Sequence, residues 1–235
     1  MLAEQGYPPV ETVANTIFPA AMALQTPEPA GLGQRYRECY GRIRRFQGNE
    51  KGTYFGRMVD YPHPKHGSVD QLADLVRKLQ VELGLSGPVS ARYEMAPSLP
   101  GPDAPVQEDQ GGEPEVDTDD GSTADVITGS ETTVDGTVRI VAPGTDTARI
   151  GFPCLSWCSF QLDGEHLHLV AHYRSQYLIR RGYGNYLALA RLQRYVAEAT
   201  GLHTGELMIV AGYAQVDVTS ARPVQQMLRE TPPAV

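Results

Sequence analysis

From Trp157 to Val210 the chain carries a run of local signals that leaves few folds open. Trp157–Leu162 and His166–Tyr173 are strand-like and flank Asp163-Gly164, a dipeptide suited to a two-residue hairpin turn. Leu189, Leu192, Val196 and Ala199 then recur at helical spacing, which predicts a helix over 186–199. Asn185 has the side chain of an N-cap for that helix, and Gly201 is its stop. Leu207–Val210 is a short apolar run that reads as a buried strand. Strand, strand, helix and strand in such short order predict an α+β domain, with helices packed on a mixed or mostly antiparallel sheet.

The upstream half is less regular. Ser68-Val69-Asp70-Gln71 reads as a capping box, and Val69, Leu72, Leu75, Val76, Leu79 and Leu83 mark the apolar face of the helix it opens, with Gly84 ending it. Thr16–Leu24 predicts a short helix with Pro19 in its first turn. Residues 1–34, with Pro8-Pro9, Pro19 and the Pro- and Gly-rich stretch 27–33, read as loop-rich, and 47–67 as a loop with a short strand at Thr53–Met58. Arg35–Phe46 is basic and aromatic; it reads as a surface segment with its arginine stems laid along it, or as one wall of an anion site. Val89–Met95 and Thr137–Val141 read as further strands, and the proline-bearing tail from Ala221 as surface chain.

The formal charge of −8 is unevenly placed. From Tyr93 to Val138 there are twelve Asp and Glu and no Lys or Arg, so the rest of the chain has 20 basic against 16 acidic residues, a net of +4. Residues 98–135 are rich in Pro, Gly and acid and lack aromatic side chains. Such a segment buries too little apolar surface to offset its ordering entropy, which predicts a disordered insertion within a single domain spanning 1–235. The remaining chain is basic enough for a small anion and far from the charge density of a nucleic-acid binder. No apolar run approaches the roughly 18–20 residues of a membrane span, and the N-terminus lacks the basic and apolar regions of a signal peptide, so a cytoplasmic location is expected.

Cys39, Cys154 and Cys158 are too few for a disulfide framework or a four-ligand zinc site. Cys158 falls in a strand pattern and reads as core. His166, His168 and His172 alternate along one strand with no matching carboxylate or thiol cluster, which reads as a polar sheet face rather than a metal site. Arg180 and Arg181 read as solvated charge, with ligands of a second phosphate site as the alternative.

One ordered set remains: Pro153-Cys154, Tyr173-Arg174-Ser175, Gly184-Asn185, Thr200-Gly-Leu-His-Thr-Gly-Glu-Leu207 and Gly212-Tyr-Ala-Gln215-Val-Asp217. It resembles the thymidylate synthase family, in which a Pro-Cys-His step, a Gln-Arg-Ser triplet, an Asn, a TGL-x-x-GEL segment and a closing strand follow in that order. Upstream, Tyr40-Gly-Arg-Ile-Arg-Arg-Phe46 and the helix from Ser68 are similar to further family segments. The resemblance implies a thymidylate-synthase-like fold and homodimer. It also implies 5,10-methylenetetrahydrofolate as cofactor and one-carbon transfer, methyl or hydroxymethyl, to C5 of a uracil-type pyrimidine nucleotide or nucleoside. Cys154 would be the catalytic nucleophile at C6. Arg174 and Ser175 would hold phosphate, Asn185 would read the base, and Gln215 and Asp217 would meet the sugar.

These residue types suit that chemistry. A thiolate is a strong nucleophile, and a nearby guanidinium both lowers a thiol pKa and anchors phosphate. An Asn offers one donor and one acceptor to the N3/O4 edge of uracil. The chain also departs from the family pattern. Leu155 follows the cysteine where the family has His, Tyr177 stands at an Asp position, and Pro88-Val89 stands at an arginine pair. Gln215 and Asp217 replace a His and a Tyr, and Thr16–Leu24 lacks the family's proton-handling Glu. The N-terminal arginine loop is not recognisable unless Lys51 or Arg57 serves. The alternative is therefore a non-catalytic homologue that binds a nucleotide or a protein partner.

Overall fold

The computed structural model describes residues 8–63, 66–84, 137–142, 146, 153–217 and 229. Its elements in order are α1 (Val10–Asn15), α2 (Ala20–Gln25), α3 (Pro29–Ile43), α4 (Tyr54–Val59), β1 (Tyr61–His63), β2 (Gly67–Val69), α5 (Gln71–Leu83) and β3 (Thr137–Arg139). There follow β4 (Leu155–Asp163), β5 (His166–Tyr173), β6 (Gln176–Tyr177), a π-helical turn (Leu178–Gly182), α6 (Tyr183–Thr200), β7 (His203–Ala211) and β8 (Ala214–Gln215). The expected strand Val89–Met95, the acidic insertion 98–135 and most of the tail lie outside the described residues.

The central sheet has the order β3-β4-β5-β7. β3, β4 and β5 are antiparallel neighbours, whereas β5 and β7 are parallel, so the sheet is mixed as expected. Asp163 pairs with His166, which makes Gly164-Glu165 the hairpin turn. Parallel neighbours need a crossover, and α6 provides it. It runs to Thr200 and stops at Gly201, whose φ of 73° is the left-handed conformation glycine tolerates best.

Helices cover one face of the sheet. Ala188, Leu189, Leu192 and Val196 of α6 share one buried core with Phe160, Leu167, Leu169 and Ala171, and with Leu72, Leu75, Val76 and Leu79 of α5. The core therefore joins residues from both sides of the acidic stretch. α1 lies against the start of α6 at Gly184, where a Cβ would sit 2.7 Å from that of Val13. The opposite face of the sheet carries no helix among the described residues; Met208 and Val210 of β7 point outward from it, 57% and 43% exposed. β7 is thus not the buried strand its apolar run suggested. Its burial alternates, and only Leu207, Ile209 and Ala211 pack against the core.

Other local expectations are corrected by side-chain caps. Residues 27–33 are not a loop: Pro29 is at the first position of α3, and Glu28 accepts from the amides of Ala30 and Gly31. α3 then continues through Arg35–Ile43, so most of the basic segment is helical. Thr53–Met58 is the start of helix α4 rather than a strand, because Thr53 Oγ1 caps the amide of Gly56. α2 starts after Pro19, and α1 precedes it as a separate helix. The cap of α5 is Asp70, which accepts from Ala73 N at 3.0 Å; Ser68 belongs to β2. Gln71 pairs instead with an edge strand: it accepts from Arg139 N and donates to Arg139 O, as a strand neighbour would. α6 begins two residues before Asn185, with Gly182 at the cap position and no side-chain cap.

Gln193 links the two layers. Its amide nitrogen donates to Leu167 O at 2.8 Å, Glu206 O at 3.0 Å and Gly205 O at 3.2 Å, beside the register shift between β5 and β7. A buried carbonyl left without a donor costs about 1–3 kcal/mol. Gln193→Leu is expected to lower stability by about 2–3 kcal/mol on that basis. A fall in the urea midpoint with unchanged m-value checks it.

Candidate active site

Parallel β5 and β7 finish at the same end of the sheet, and β4, antiparallel to β5, begins there. Both parallel strands bend at that end before pairing again as β6 and β8: β5 at Arg174-Ser175 and β7 at Gly212-Tyr213. Backbone bonds fix the bends. Arg174 N donates to Cys154 O at 2.9 Å, Gly212 N to Tyr173 O at 2.8 Å and Gln176 N to Tyr213 O at 2.8 Å. Cys154, Arg174 and Ser175 are thereby brought to one sheet end, with Gln215 just beyond, paired with Tyr177. Carboxyl ends of parallel strands are where open sheets hold ligands.

Cys154 is half-buried against the core, and Arg174 is exposed. Cys158 is the core thiol expected, and burial pushes it up to about 12. Asn185 is in the first turn of α6 and only 3% exposed, with its side-chain oxygen unpartnered among the described residues. Gln176 Oε1 and the Tyr173 hydroxyl are likewise buried without a partner. Unpaired buried polar atoms are uncommon in folded chains, and those of Tyr173 and Gln176 flank the bend at Arg174.

Two tyrosines converge on the cysteine. The Tyr54 hydroxyl faces the backbone amides of Cys154 and Leu155. Burial raises its pKa, with a further upward push from the Cys154 thiol and a smaller pull downward from Arg181. Tyr173 is raised well above the usual phenol range, first by burial and then by Tyr54 and Cys158. Both phenols stay protonated; the Tyr54 oxygen accepts from the amides it faces, and the Tyr173 hydroxyl has no hydrogen-bond partner among the described residues.

Beside Cys154 opens a cleft of two joined cavities, about 500 and 210 Å³, which share Thr16, Gly48, Asn49 and Arg181. The smaller one reaches Pro153 and Tyr54. Lys51 and Arg57 also line it, but Arg57 is held by Asp146 through two bonds of 2.6 and 2.8 Å. Tyr54 and Asn49 were missed in the sequence, and Arg181 was read first as solvated charge. The available signal was a basic surplus between Arg35 and Arg57 with few acids to neutralise it.

Asp217 is placed differently from a ligand contact. Its side chain is 2% exposed; Oδ1 accepts from Ile179 N and Arg180 N, and Oδ2 from Arg180 Nε at 2.5 Å. Arg180 is therefore paired rather than simply solvated, while Arg181 turns to the cleft. His168 and His172 lie on the open sheet face: His168 Nδ1 accepts from Glu206 N, and His172 stacks on Trp157. Among the described residues no group of three or more His, Cys, Asp or Glu is placed to hold a metal, and no helix is long and apolar enough to cross a membrane.

Burial raises the Asp217 carboxyl, but the bonds from Arg180 and Ile179 outweigh it and hold the pKa below the usual carboxylate range. Its contribution is thus complete above the unfolded value of about 3.9 and is lost as pH falls through the lower folded value. Asp217→Asn should destabilise the protein at pH 7, and the difference from wild type should vanish toward pH 2–3. Faster hydrogen exchange at the Ile179 and Arg180 amides would accompany it.

No family model and no curated protein matches the chain. Among solved structures, thermostable thymidylate synthase A from Bacillus subtilis is similar, at 15% identity and a TM-score of 0.47. The match covers 93% of this chain and 62% of that one, so the chain spans less than two thirds of that structure's length.

Proposed function

We propose that the protein is a divergent, thymidylate-synthase-like enzyme that transfers a one-carbon unit to C5 of a uracil-type pyrimidine nucleotide or nucleoside. The observation that supports this most is the meeting of Cys154 with the Arg174-Ser175 bend, through the 2.9 Å bond between their backbones. In this reading the Cys154 thiolate adds to C6 of the base, and the displaced electron pair develops on C5 and O4. Arg174 and Ser175 anchor the phosphate, and Asn185 turns its unpartnered oxygen to the base N3–H. Tyr54 and Tyr173 supply protonated hydroxyls beside the thiol, where the sequence lacks an acid. Gln215 meets the sugar, and Asp217 acts through the turn it fixes.

The larger cavity is of ligand size and its described wall carries no acid, which fits a polyanionic folate. Thr12 and Asn49 would hold it. Methylenetetrahydrofolate supplies a methylene group when bound, and hydride or water then decides between a methyl and a hydroxymethyl product. The active unit is taken as a single cytoplasmic domain over 1–235, with 98–135 as an insertion. A second copy of the chain covers the open sheet face, where Val170, Met208 and Val210 present apolar side chains. The engagement of Asp217 and Arg57 in internal ion pairs favours the second reading, a non-catalytic homologue that binds a nucleotide or a protein.

Release of tritium from C5-labelled uracil nucleotides, measured with and without methylenetetrahydrofolate, separates the two. Release that falls to background in Cys154→Ala is expected; no release from any uracil or cytosine nucleotide, unchanged by that substitution, overturns the enzyme reading. Light scattering on a sizing column should give a dimer for the wild type and a monomer for Met208→Lys. A wild-type monomer removes the homodimer.

A further inference from the structure

The cleft beside Cys154 holds two cations that the chemistry above leaves unused. Arg181 projects from the π-helical turn and lines both cavities; Lys51, in the loop before α4, lines the inner one. Neither has a carboxylate partner among the described residues, although the neighbouring cations Arg57 and Arg180 are each paired. None of the described residues lining either cavity is acidic. The nearest acid in sequence, Glu50, is turned back on its own loop, where it accepts from Gly48 N at 2.9 and 3.0 Å.

Like charges brought into one concave site repel each other and strengthen the local field, and an anion between them relieves both effects. The polar wall around them suits an oxyanion. Asn49 offers the amide hydrogen left over from its 3.3 Å bond to Ile43 O, and the Tyr54 phenol, kept protonated, lies at the inner end.

We propose that Arg181 and Lys51 form an oxyanion seat, distinct from Arg174 and Ser175, which takes the phosphate or carboxylate of a ligand lying along the cleft. The seat requires no chemistry at Cys154, so it stands or falls separately from the transferase reading. Its place is set by the turn. Asp217 holds Arg180 on one side of the π-helical turn, and the next residue, Arg181, is left to face the cleft.

Titration calorimetry with inorganic phosphate and, separately, glutarate tests it at low salt, where exposed charges are least screened. Wild-type protein is expected to bind at least one of the two anions. Arg181→Gln and Lys51→Gln should each weaken that binding about tenfold, and the double variant should abolish it. Tighter phosphate binding identifies a phosphoryl group as the natural occupant, and tighter glutarate binding a carboxylate. Both side chains are exposed and carry no ion pair among the described residues, so the variants should melt with the wild type. Wild-type affinity in the double variant overturns the seat, as does binding that is lost only in Arg174→Gln. Absence of binding to either anion by the wild type overturns it as well.

Discussion

The parallel pairing of β5 with β7 is the constraint from which the rest of the molecule follows. Two strands that run the same way must be joined by a crossover, and α6 is that crossover. Because both strands end on the same side, their bends at Arg174-Ser175 and Gly212-Tyr213 lie next to each other. The hairpin partner of β5 starts at that side too, which is why Cys154 arrives there. Gln193 holds the helix to the pair at the one place where the register slips. The candidate site is therefore a product of topology as much as of motif.

The hairpin, the apolar stripe of α6, its glycine stop and the face of α5 were legible because each depends on neighbours a few residues apart. The errors had a common physical source: residues with two uses. Gly56 in the 47–67 stretch reads as a loop signal, yet it lets α4 approach the ring of Tyr40, 2.6 Å from where a Cβ would stand. Gln71 completes a capping box on paper, but an amide can also imitate a strand, and the open edge of β3 claims it. Asn185 is a good N-cap by type, yet the π-helical turn starts the helix earlier and carries the side chain inside. The apolar run at Leu207–Val210 gave no hint that, among the described residues, one face of the sheet carries no covering layer.

The site divided along the same line. Cys154, Arg174 and Ser175 belong to one local strand end and could be found together in the sequence. The cleft is assembled from α1, the loop around Asn49, α4 and the turn at Arg181, which are far apart in the chain. Their association depends on helices whose existence was hidden by Pro, Gly and arginine. Asp217 was legible as a conspicuous acid near the site, but its partners, the amides of Ile179 and Arg180, appear only once the turn is formed.

The stacking of Trp157 on His172 has a practical side. Trp157 is the only tryptophan in the chain, and its ring lies 5.6 Å from the imidazole at an interplanar angle of 11°. An indole in that position emits with an intensity that depends on the charge of the stacked ring and on whether the sheet face is wet. The protein therefore carries a built-in optical reporter on the open face, while the cleft on the helical side contains tyrosine and no indole.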